Sequence, residues 1–185
     1  MTSETPSFET ELSELLRRVS RWEAPEGVGI LSVYLDRRPQ ATGERPEHRT
    51  GDTVLKDRLR QIEHSLGVRG PALESFRGDA ERVHAAVAAA SPAAEGLAVF
   101  SCSAAGLFES IEAPAPFENQ VVYDRYPRLY QLARLLDEYE TAVVAVADTN
   151  TLRLFVVRGE RIAEMPGKDE DPYNYQMRST SGMNE

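Results

Sequence analysis

Two short apolar runs, Val28 to Leu35 and Gly96 to Cys102, constrain this chain more than any other feature. Both are rich in β-branched and aromatic residues and neither alternates with polar positions, the pattern of a strand buried on both faces. Strands of that kind need helical cover, and the intervening sequence has the right periodicity. Phe8, Leu12, Leu15, Leu16, Val19 and Trp22 fall on one stripe and predict a helix over residues 7 to 22, with Ser7 as N-cap and Pro25 just beyond its end. Leu55, Leu59, Ile62 and Leu66 predict a second helix over 53 to 66, stopped by Gly67. A third follows Gly70-Pro71, with Leu73, Phe76, Ala80, Val83, Val87 and Ala90 on its inner face and Ser91-Pro92 at its end. Both expose charge opposite the stripe.

Further along, Leu107 to Ile111 and Gln120 to Tyr123 predict two short strands, joined by the extended connection APAPFE. Pro127 is placed to open a fourth helix, with Leu129, Leu132, Leu135, Leu136 and Tyr139 inward. Beyond Glu140, TAVVAVADTNTLRLFVVRGERIAEM reads as three strands broken at Asp148-Thr149-Asn150 and Arg158-Gly159-Glu160, with one covered face. The tail from Pro166 to Glu185 has no packing pattern. The expected class is therefore α/β: a mixed-sheet α/β sandwich over residues 1–138, then the first β-meander of a second domain over 139–185. Three strands without covering helices lead to the expectation that the natural chain continues past Glu185.

Composition narrows the function. The 185 residues are 41% hydrophobic and 28% charged, with one cysteine and a net charge of −9. No long apolar window is present, so no membrane partner is expected, and the N-terminus lacks the basic head and apolar run of a secretory signal. The chain reads as cytoplasmic. A single cysteine makes neither an internal disulfide nor a thiolate zinc site. Bulk positive charge for gripping nucleic acid is absent. Locally, however, residues 37 to 69 carry Arg37, Arg38, Arg45, Arg49, Lys56, Arg58, Arg60 and Arg69 against only five acids. From Arg37 to Arg60, this stretch is the candidate RNA-binding surface, on the argument that each cation with few counter-charges neutralises one phosphate. Its competing reading is a solvated loop and helix face. No aromatic residues interleave it, so base stacking is not indicated.

Catalytic and metal motifs are not found. His48, His64 and His84 lack helical pairing, and His84 reads as an ordinary helix residue. Gly27-Val28-Gly29 precedes a strand and has Ser32 where a third glycine belongs, while Gly167-Lys168 lacks the rest of a phosphate loop. Cys102 reads as a core thiol, and Asp148 as a turn residue before it reads as a ligand. No cofactor and no catalytic residue follow from the sequence.

The strings GILSVYLDRRP, VLKDRLRQIEHSL, GLAVFSCSAAGLFE and VVYDRYPRLYQLARLLDEYETAVVAVADTNTLRLFVVRGE, in that order, resemble the N-terminal domain and start of the middle domain of class-one peptide release factors. They are more closely similar to the bacterial archaeo-eukaryotic release-factor-like families. The resemblance spans roughly residues 10 to 165 and rests on element order and hydrophobic texture. It implies a translation factor that meets the ribosome or tRNA. The family's signatures do not transfer. No Gly-Gly-Gln stands in Gly167 to Glu185, where Gln176 lies between Tyr175 and Met177. Thr53-Val54-Leu55-Lys56 takes the place of the Asn-Ile-Lys-Ser codon-reading motif. Phe100 and Cys102 half-match a decoding motif whose final Phe is Gly106 here. Peptidyl-tRNA hydrolysis would need residues beyond 185.

Two readings follow. The first is a ribosome- or tRNA-docking domain without decoding or catalytic motifs. The second is a protein-interaction or regulatory module that kept the fold, lost RNA binding and forms a homodimer through exposed meander strands.

Overall fold

The structure is a computed structural model that describes residues 7–39, 50–67, 69–138, 141–148, 152–158 and 161–165. It divides into two compact units, Met1–Glu138 and Tyr139–Glu185.

The first unit runs α1 (Phe8–Val19), β1 (Ile30–Asp36), α2 (Thr50–Ser65), α3 (Pro71–Ala89), β2 (Gly96–Cys102), a 3-10 turn (Ser103–Ala105), β3 (Leu107–Ala113), β4 (Gln120–Asp124) and α4 (Tyr130–Glu138). The two apolar runs are β1 and β2, the central strands of a sheet ordered β3-β2-β1-β4. All three ladders are antiparallel, so the α/β class holds while the sheet is antiparallel rather than mixed. Two-sided burial, the usual mark of parallel strands, arises here because helices cover both faces. Leu31, Val33 and Leu35 of β1 join Leu97, Val99 and Val121 beneath Leu55, Leu59, Phe76 and Val83 of α2 and α3. On the alternate positions, Tyr34 meets Phe100 and Phe117 edge-on, with ring centroids 5.8 and 5.2 Å away. Its hydroxyl donates to the Arg128 carbonyl.

Element edges differ from expectation for local reasons. The α2 helix begins three residues early and runs through Gly51, where a β-carbon would sit 2.8 Å from the Asp36 carbonyl oxygen. The α4 helix begins at Tyr130 rather than Pro127. The Arg128 N–H is taken by the Ser32 hydroxyl at 3.1 Å and its carbonyl by Tyr34, so that backbone serves β1 instead of a helical turn.

In the second unit β5 (Thr141–Ala147), β6 (Leu152–Arg158) and β7 (Arg161–Glu164) form an antiparallel meander. Its described side chains are exposed or half-buried, with Val143, Val146, Leu152 and Ile162 more than half exposed. The expected covered face is therefore absent among the described residues. Exposure alone does not select a second copy as partner, and the homodimer expectation gains no support from it. No helix among the described residues is long and apolar enough to cross a membrane.

Candidate anion-binding surface

Of the seven candidate cations, Arg45 and Arg49 lie outside the described residues. The structure separates the other five. Arg38 folds back at the end of β1 and grips Asp36 with two nitrogens, Nη2 reaching Oδ2 at 2.7 Å and Nε reaching Oδ1 at 3.1 Å. That guanidinium holds the Asp36 carboxyl below the usual carboxylate range. Arg38 is thus already matched to an anion.

Arg37, next to it, goes the other way. Its N–H donates to the Glu95 carbonyl at 2.8 Å. The side chain is only 7% exposed, and Nη1 donates to the Val87 carbonyl at 3.0 Å. Val87 lies in the last turn of α3, where carbonyls lack helical partners and the helix carries partial negative charge. Arg37 therefore caps α3 from the position just after β1, a structural task that spacing does not reveal.

Lys56, Arg58 and Arg60 remain exposed on α2. Lys56 and Arg60 are one helical turn apart on one face. Arg58 donates to Gln61 at 2.9 Å, and Arg60 stands 4.0 Å from Asp57 with both side chains more than half exposed. Such a solvated pair is worth little and yields readily to a stronger anion. Lys56 also borders a groove of about 470 Å³ between α2 and the end of α3, lined by Arg37, Asp52, Leu55, Lys56, His84 and Val87, with Ala88, Ala90 and Pro92 completing it. His84, read from sequence as an ordinary helix residue, is exposed at this groove.

Among the described residues, the most deeply set carboxylate was not visible as such in the sequence. Asp79, on α3, is fully buried. Its Oδ1 accepts from the Ser101 hydroxyl at 2.8 Å and the Ser103 N–H at 2.6 Å, and its Oδ2 faces the Ser75 hydroxyl at 3.4 Å. Burial raises its pKa, against the lowering effect of those donors. The signal was its position, three residues after Phe76 and four before Val83, inside the apolar stripe. Asp79 ties α3 to the turn after β2 and is a strut, closed to solvent. Cys102 is fully buried too, and burial pushes its thiol pKa up, which suits a core thiol rather than a nucleophile. Among the described residues no group of three His, Cys, Asp or Glu side chains is placed to hold a metal.

No family model matches the chain, and no curated protein does. Solved structures do. An archaeal protein aligns with a TM-score of 0.50 at 18% identity, over 85% of this chain and 44% of that one. An archaeal translation termination factor aligns with a TM-score of 0.48 at 17% identity, over 85% of this chain and 43% of that one. The chain spans less than half the length of either, and the likeness is one of fold alone.

Proposed function

We propose that this chain is the docking part of a ribosome- or tRNA-associated translation-factor relative, meeting RNA phosphates with α2. The observation that carries the reading is the exposed set Lys56, Arg58 and Arg60 on one helix, with Lys56 and Arg60 on a shared face, cations with only weak or neutral partners. The sequence resemblance to release-factor N-terminal domains supplies the class of RNA partner. Arg38 and Arg37 play no part in docking, since one is matched to Asp36 and the other caps α3. Hydrolysis is not assigned to any described residue.

Co-sedimentation with ribosomes tests this. Three phosphate contacts predict binding that drops roughly 20-fold or more between about 50 and 200 mM salt. Changing Lys56, Arg58 and Arg60 together to Ala, a good helix former, should abolish sedimentation at low salt and leave the circular dichroism spectrum unchanged. A wild-type chain that fails to sediment at low salt overturns the docking reading. The protein-interaction module then stands in its place, favoured by the net charge of −9 and by the ion pair that takes Arg38 out of the basic set.

A further inference from the structure

The groove between α2 and α3 has features that a backbone-tracking surface does not need. Its volume of about 470 Å³ falls in the range of small-ligand sites. Its lining combines the apolar Leu55, Val87, Ala90 and Pro92 with two permanent cations, Arg37 and Lys56, against the single acid Asp52, and with the imidazole of His84. The end of α3 would ordinarily repel an anion, but Arg37 already occupies the Val87 carbonyl there. Two cations against one acid leave the lining net positive beside its apolar residues.

We infer that this groove binds a phosphomonoester with a flat or apolar body, the chemistry of a nucleotide. The phosphate, carrying −1.5 to −2 charge at neutral pH, sits against Lys56 and His84. The base or sugar covers the apolar lining of Leu55, Val87 and Pro92. Neither inorganic phosphate nor an uncharged nucleoside satisfies both halves. The inference shares Lys56 with the docking reading but also uses His84 and the apolar lining, which docking does not need, so either can fail without the other.

Titration of the full chain with adenosine 5′-monophosphate, followed by backbone amide NMR, is the test. Shifts should centre on Leu55, Lys56, His84 and Val87. Adenosine without the phosphate should bind about ten-fold more weakly, the usual effect of losing a charge-assisted contact, and so should the nucleotide with Lys56→Ala. Ala88→Phe, at an exposed position on the groove wall, should fill the space and abolish binding while ribosome sedimentation persists.

A 5′-phosphorylated oligonucleotide separates the two sources of such a group. If it binds and the free nucleotide does not, the ligand is an RNA end; if the nucleotide binds equally well, it is a free metabolite. No shift at those four residues with either probe, or equal binding of adenosine and its monophosphate, overturns the inference. Nucleotide binding without ribosome binding would remove the docking proposal and leave the groove assigned.

Discussion

Asp79→Asn is expected to raise stability at neutral pH by about 1 kcal/mol, although it alters a carboxylate that accepts three hydrogen bonds. An amide oxygen can keep both contacts of Oδ1, to Ser101 and Ser103, and its NH2 can donate to Ser75. What the substitution removes is a buried charge whose four-residue network contains only neutral donors, and an uncompensated buried charge is the costly element. Asp79→Ala behaves oppositely. It strands the Ser103 N–H and the Ser101 hydroxyl, each costing about 1–3 kcal/mol when buried without a partner. A loss of about 3 kcal/mol is expected.

The same network sets a pH dependence. Folding raises the Asp79 pKa, so the folded state takes up its proton first as pH falls. Between the raised value and the ordinary carboxylate range, near 3.9, the native state binds more protons than the unfolded one and Asp79's contribution to stability grows as pH drops. Other carboxylates, such as Asp36, act in the reverse direction. The difference between wild type and Asp79→Asn in urea unfolding isolates the effect: the Asn variant's advantage should shrink as pH falls. An Asn variant less stable than wild type at neutral pH would show that the charge itself is needed.

Gly96→Val should cost roughly 3 kcal/mol or more, the upper range of core overpacking. Gly96 opens β2 opposite Asp36 on one side and Ala113 on the other, so the strand cannot slide away. A β-carbon there would press on the Ala115 carbonyl oxygen and lie 2.8 Å from a Phe117 ring carbon. The oxygen belongs to backbone, and the ring is buried against Tyr34, so neither yields cheaply. Gly67→Ala makes the control. Gly67 has φ +85° and open space around it, so alanine costs only backbone strain of about 1–2 kcal/mol. Equal losses for the two variants would mean that steric approach at Gly96 is not what the glycine serves.

These cases show where sequence was informative. The β1 and β2 runs and the inner stripe of α3 are properties of neighbouring residues, and a two-sided strand and an apolar face are what hydrophobic periodicity reports. The basic set could not be judged that way. Whether Arg37 meets a phosphate or the end of α3 depends on Val87, fifty positions on, as a bond at 3.0 Å records. Arg38's partner was close in sequence, but Asp36 ends the strand and Arg38 lies in the bend after it, and a spacing of two does not itself say that the side chains meet. Asp79 shows the converse. A charged residue on an inner stripe contradicts its own pattern, and the serines that reconcile it come from the distant β2 end and turn as well as from α3.

The meander described above has one further consequence. β5 is the border strand of its sheet, and Ala142 to Ala147 carry no charge and no proline to blunt it. The opposite border, β7, is short and pinned to β6 by the two-nitrogen grip of Arg153 on Glu164. That border is only four residues long, so β5 is the longer edge of the described sheet. Among the described residues no strand pairs with the outer side of β5, and at high protein concentration such a row of amides and carbonyls is a template for extended apolar peptides, from which cross-β assemblies grow. A single lysine at Val144 would act as a gatekeeper, and light scattering during concentration would report the gain in solubility.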